Sequence, residues 1–387
     1  MTPSPSSIPS CCRRSMSGKM LPAGQTTVTL KANATKTCTL AEELATDTHA
    51  VHLHLTFHCG DKGAAALGAA LKVNSSLRSL HMQCNQVKLK RIGALSDALS
   101  HNRGLLLLDV GGNELGDQGG VQLAAALAVN HTLVSLGVQG CGFGEAAVTA
   151  IAAVLKGNPT LECINFGMAA MGSTGMLALA DALTSNSTLR HMCCDNIEFE
   201  APPGHAGTYV VGVEALKALA SALEVNTGLI SLRLNSSRLG DEAYEAFGSA
   251  LRLNRTLRTL HVGWHLTSRG CAALAAAMEE NTSLYNLKFE GVDGLAEEDK
   301  APIAASCQCN KEALIAAQKA GEKPQIDNMW TCFNWMRAFP LLKSHLEAAS
   351  AASTSTSASN ETGKGASKKR AGATQTKPPA KKQAKPK

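Results

Sequence analysis

Aromatic residues are scarce. Phe, Trp and Tyr make up 4% of 387 residues, with three Trp and three Tyr. Any core must therefore be filled by small and branched aliphatic side chains, and hydrophobic residues still reach 44%. Long apolar runs are missing: no stretch approaches the roughly 18 uncharged apolar residues of a membrane span, which excludes a helical membrane protein and predicts no membrane partner. Acid is missing at both ends. Residues 1–41 carry five Lys or Arg and no Asp or Glu, and 350–387 carry nine Lys or Arg against one Glu. The body, 42–349, is left with 23 basic and 30 acidic residues, so the overall +6 says little about it. Paired cysteine motifs are also absent. The 13 Cys are odd in number and scattered, unlike a disulfide framework, and the expectation is a reduced, intracellular chain. There is no phosphate-cradling G-x-x-x-x-G-K-[ST] and no nucleophile elbow, so no catalytic residue and no cofactor is expected.

What is present is a period. Asn recurs at 74, 102, 130, 158, 186, 226, 254 and 281, at steps of 28 except for one of 40 and one of 27. Seven residues before it stand Leu67, Leu95, Leu123, Ile151, Leu179, Leu219, Phe247 and Leu274, and three before it Leu71 through Met278, which is one apolar helix face. After the Asn the period becomes two. Leu77, Leu80 and Met82 begin a column set repeated through Leu284, Leu287 and Phe289, which predicts a short strand. In "GNELGDQGGVQLAAALAVN", residues 112–130, Asp117 is expected to N-cap its helix and Asn130 to end it in the left-handed conformation that Asn tolerates. One strand plus one helix cannot bury its apolar side alone; stacked units can.

The pattern resembles the ribonuclease-inhibitor type of leucine-rich repeat. "LLLLDVGGNELGDQGGVQLAAALAVN" matches that family's strand, Asn turn and G-D-x-G helix start. The family's Asn or Cys after the strand is kept at Asn85, Asn113 and Cys141 and replaced by Ala169, Ile197, Ser237 and His265. The resemblance implies an α/β solenoid, an open horseshoe with a parallel sheet on the concave face, helices on the convex face and about nine repeats. The expected organisation is a disordered basic tail (1–26), an N-terminal cap (27–47), repeats (48–310), a C-terminal helical cap (311–349) and a disordered Lys-rich tail (350–387). Cys84, Cys141 and Cys194 occupy columns where small apolar residues belong.

Residues between the last two inward strand positions should line the concave face: His54, His81, Asp109, Gly137, Asn165, Cys193, Arg233, His261 and Lys288. Adjacent strands lie about 4.8 Å apart, so these become near neighbours, neutral or acidic in the middle and basic toward Arg233 and Lys288. His54, His81 and Asp109, or His191, Cys193 and Asp195, have metal-ligating chemistry, but a polar protein-binding surface is the expected use and no metal is predicted. The long unit carries a 12-residue excess within "IEFEAPPGHAGTYVVGVEAL", where Phe199 and Tyr209 are candidate anchors. In the tail, Lys369-Arg370 and Lys381-Lys382 with Lys385 resemble a bipartite nuclear localisation signal, which implies an import receptor and a nuclear or cytoplasmic location. Nucleic acid is expected to bind only weakly, through the tails. The expected function is a non-catalytic scaffold that holds a partner protein on its concave face. The alternatives are a GTPase activator resembling the Ran GTPase-activating protein and a tail-mediated nucleic-acid-associated adaptor.

Overall fold

The computed structural model describes residues 26–319, apart from 32, 57, 197–210, 236–238, 264–265 and 290–294. Strand and helix alternate throughout. The first half is β1 (Thr27–Lys31), α1 (Ala34–Leu44), β2 (His52–Thr56), α2 (Gly60–Leu71), β3 (Ser79–His81), α3 (Leu89–His101), β4 (Leu107–Asp109), α4 (Gly116–Leu127), β5 (Ser135–Gly137) and α5 (Glu145–Leu155). The second half is β6 (Cys163–Asn165), α6 (Gly172–Ser185), β7 (His191–Cys193), α7 (Val213–Val225), β8 (Ser231–Leu234), α8 (Asp241–Leu253), β9 (Thr259–Val262), α9 (Ser268–Glu280), β10 (Asn286–Phe289) and α10 (Glu297–Lys319). The strands form one open ten-stranded sheet in chain order, and every pairing is parallel. The result is an α/β solenoid of ten strand–helix units. β1 and α1, expected as a cap, form a unit that pairs in register with β2.

The Leu columns meet in one continuous core. Leu53, Leu80, Leu136, Ile164, Leu232 and Leu260 from the strands, and Leu67, Leu123, Leu219 and Phe247 from the helices, are fully buried. Each contributes about 1.5–3 kcal/mol. Close helix approach needs small residues: a Cβ added at Gly120 would strike Ala147 on the next helix.

The Asn column has a different role from the one expected. None of its members lies at positive φ; Asn102, Asn186, Asn226, Asn254 and Asn281 are extended. Each is buried and knits one unit to the one before. Asn130 Nδ2 donates to the carbonyls of Leu99 (2.7 Å) and Asn102 (3.1 Å), and its Oδ1 accepts from the N–H groups of Thr132 (3.0 Å) and Leu133 (2.8 Å). These are backbone groups stranded where a helix turns into a strand, and burial would otherwise cost about 1–3 kcal/mol for each. The ladder survives the long unit, since Asn226 Nδ2 reaches Leu183 and Asn186 at 2.7 and 2.8 Å. Asn310 extends it inside α10, where a separate helix after Asn310 was expected and one continuous helix is found.

The Gly-Asp at the helix start also differs. Gly116 is the residue that needs a left-handed backbone, at φ +61°. Asp117 does not cap α4, whose N-cap is Leu115 with no side-chain bond. Its Oδ1 accepts from Gly144 (2.8 Å) and Ala147 (3.0 Å), so it caps the start of α5. Asp61 does the same one unit pair earlier, accepting from the N–H of Lys88. Left-handed residues instead mark the turn after strands β3 to β7: Cys84, Gly112, Gly140, Met168 and Asn196 share that conformation at intervals of 28. Cys84 is accordingly an exposed turn residue rather than a core one, while Cys141 and Cys194 are buried as expected.

Candidate functional site

On the sheet face away from the helices, the expected row is brought together in full. His54 stands opposite His81, His81 opposite Asp109, Asp109 opposite Gly137 and Gly137 opposite Asn165. The row continues through Cys193, Arg233, His261 and Lys288, each opposite the next. Neighbours are thus about one strand spacing, ~4.8 Å, apart. Their accessibility differs along the row. His54, His81, Cys193 and His261 are buried, Asp109, Asn165 and Arg233 half-buried, and Lys288 exposed.

At the N-terminal end the His54 and His81 rings stack, with centroids 4.1 Å apart and planes 13° apart. His52 Nδ1 lies 2.8 Å from Ser79 Oγ beside them. Burial, with the neighbouring His52, pulls the His54 pKa down to about 4. Burial, then His54 and His52, pulls that of His81 down to about 3. Both rings are neutral at pH 7. Among the described residues no group of three or more His, Cys, Asp or Glu is arranged to hold a metal.

Asp109 is enclosed. It accepts from Gln83 Nε2 (2.5 Å), Gln139 Nε2 (3.4 Å) and the Gly111 N–H (3.0 Å). Burial raises its pKa, and these three donors oppose the rise. Burial first, then Asp195, also raises the Cys193 thiol, and a protonated thiol is a poor nucleophile.

Arg233 does not present the bare positive charge expected of it. Its Nη2 lies 2.5 Å from Asp195 Oδ2, and Asp195 Oδ1 also accepts from the Asn235 N–H at 2.8 Å. Among the described residues Lys288 makes no ion pair, so it is the accessible charge of the row. His261, between the two, is held to a pKa of about 4 by burial, then by Arg233 and Lys288, against the opposing pull of Asp195.

Of the next outward column, two residues further on, sequence reasoning named only Asp195, as a possible metal ligand beside His191 and Cys193, and missed the rest. Gln83 and Gln139 clamp Asp109, and Asp195 and Asn235 set the state of Arg233. Extending the strand alternation by one more step would have found them. Phe199 and Tyr209, with Lys369, Arg370, Lys381, Lys382 and Lys385, lie outside the described residues.

Residues 101–124, which span the end of α3, strand β4 and most of α4, match the family model described as leucine-rich repeat. That match covers one unit of ten, and the other units repeat its strand and helix in register. The fold is a leucine-rich repeat solenoid. Among solved structures, this leucine-rich repeat protein is similar to LegL7 from Legionella pneumophila, at 16% identity and TM-score 0.43 over 76% of this chain and 92% of that one. It is also similar to the tropomodulin C-terminal domain of Caenorhabditis elegans, at 14% identity and TM-score 0.37 over 45% and 99%. A third likeness is to the leiomodin-1 actin-binding site 2, at 11% identity and TM-score 0.22 over 67% and 94%. No helix among the described residues is long and apolar enough to cross a membrane.

Proposed function

We propose that this leucine-rich repeat protein is a non-catalytic scaffold that holds a partner protein on the open face of its sheet. The observation that carries the reading is the outward set of side chains on consecutive parallel strands. They are fixed in place by register, by ring stacking and by hydrogen bonds such as those of Asp109. A surface held this rigidly loses little conformational entropy when a partner docks. Its titratable groups are tuned away from chemistry, with histidines kept neutral and a thiol kept protonated.

The test is partner capture with bulky charge placed on either side of the sheet. Ser135→Arg with Asn165→Arg loads the half-buried centre of the face, and Ala125→Arg with Ala153→Arg loads exposed positions of the helix layer. The first pair should abolish capture and the second should leave it intact; the opposite result moves the site to the helices. Added stimulation of GTP hydrolysis by a small GTPase would replace the scaffold with an activator.

A further inference from the structure

Charge is segregated within the last units. The turn-and-strand segments 186–195, 226–235, 254–263 and 281–290 carry Arg190, Arg233, Arg255, Arg258 and Lys288 against two acids, Asp195 and Glu290. Among the described residues the other acids of these units stand on helices, as Asp241, Glu242 and Glu245 do on α8. There they meet helix cations: Glu245 pairs with Arg269, and Glu242 with Lys217. In the equivalent segments of the third, fourth and fifth units, 74–84, 102–111 and 130–139, the charged residues are Arg78, Arg103 and Asp109, and His81 is neutral. The sheet side is therefore positive at one end only, although the body as a whole has more acid than base.

The positive charge is poorly compensated where it stands. Arg190 donates to the Gly228 carbonyl and Arg258 to that of Ser283, bonds that position a guanidinium without neutralising it. Arg233 spends one nitrogen on Asp195, but its Nε is buried with no hydrogen-bond acceptor. A buried unsatisfied donor is costly, and it marks a place where an acceptor is missing. His261 stands between Arg233 and Lys288 in the register, and its pKa is lowered first by burial and only then by these two cations.

We propose that the β7–β10 end of the sheet face binds an acidic, extended segment of the partner, with carboxylates placed on Arg233 and Lys288. The inference rests on the sheet face being the binding surface and adds the chemistry of what binds there. Arg233 and Lys288 are separated by two strand steps, about 10 Å, which an extended chain crosses in about three residues. The motif that fits has Asp or Glu at every third position. Such a segment would run across the strands rather than add to the edge of β10.

The probe is a short fluorescent peptide with Glu at every third position and a benzophenone at its centre, used with the full chain. Its affinity is read by anisotropy and its position by photocrosslinking. Lys288→Glu, at an exposed side chain, should weaken binding about tenfold at low ionic strength, because like charges then face each other. Arg233→Lys keeps a cation beside Asp195 but removes the Nε donor and should weaken binding less. Crosslinks should fall on β8, β9 or β10. Lys381→Glu with Lys382→Glu controls for the basic segment 364–387 and should change affinity less than about twofold. The proposal is overturned if the peptide does not bind, if Lys288→Glu binds like the parent, or if crosslinks fall in 364–387. Capture that is lost with Ser135→Arg and Asn165→Arg but unaffected by Lys288→Glu would leave the face as the binding surface and remove the acidic segment alone.

Discussion

The two edges of the sheet are built by different rules. Where helices turn into strands, Asn side chains run without a break from Asn74 to Asn310. Where strands turn into helices, a second ladder starts with Asn85 and Asn113, passes to the Cys141 thiol, which donates to the Val110 carbonyl at 3.2 Å, and stops at Ala169. Among the described residues all the left-handed ones stand on this second edge or at the helix starts it feeds, and the 12-residue excess falls after Asn196 in the sequence. The first edge sets the repeat, because a buried helix end and a buried strand start leave several backbone groups that one side chain must serve. The second edge tolerates change, because at Ala169 the backbone closes the turn alone, the Ala169 N–H donating to Phe166 at 3.0 Å.

The sharpest way to break this contrast is to remove one rung from each ladder. Asn130→Ala leaves two N–H groups and two carbonyls without their partner and should cost about 3–5 kcal/mol in denaturant unfolding. Leu123→Ala, a cavity in the same unit, should cost about 2–5 kcal/mol and serves as a yardstick. Asn113→Ala on the tolerant edge also frees two N–H groups and two carbonyls but should cost less, about 2 kcal/mol, since the unit two further on already turns with Ala169. Equal losses for Asn130→Ala and Asn113→Ala would show that the two edges are not different in kind.

The third measurement sharpens the comparison along the sheet rather than across it. The His54 and His81 pKa values are depressed, so the unfolded chain binds their protons first as pH falls below about 6.5. Their contribution to stability is fully present above that pH and is lost progressively as pH falls toward 4 and then 3. Unfolding free energy followed from pH 7 to pH 4 should therefore fall, and His54→Gln with His81→Gln should flatten the slope. Asp109 has the opposite sign, its raised pKa favouring the folded state as pH falls, so a slope unchanged by the histidine variants would assign the effect elsewhere.

The smallest expected effect is at the helix start. Asp117→Ala should cost about 1 kcal/mol, as for a lost N-cap. Its position distinguishes the two readings of Gly-Asp: amide exchange should quicken at Gly144 and Ala147 in α5 and not in the first turn of α4. Protection lost in α4 alone would restore the capping role that the local sequence implies.

The sequence by itself determined the unit, the register and the row. Leu columns at helical spacing followed by Leu columns at spacing two admit one strand and one helix per repeat, and columns that keep their offsets from the recurring Asn bring the same face of every unit into line. That is why His54 through Lys288 could be named as neighbours from spacing alone. It did not determine which unit a polar side chain serves. Asp117 looks like the cap of its own helix, and Asn130 like the end of its own, because local preference is the information a single unit contains. Only the stack placed α5 above Asp117, the Leu99 and Asn102 carbonyls beside Asn130, Gln83 and Gln139 around Asp109, and Asp195 against Arg233. The physical reason is that apolar burial has a period and no direction, so a pattern can encode it. A hydrogen bond or an ion pair needs a partner at a set distance and angle, and in a solenoid that partner belongs to the neighbouring repeat about 28 residues away.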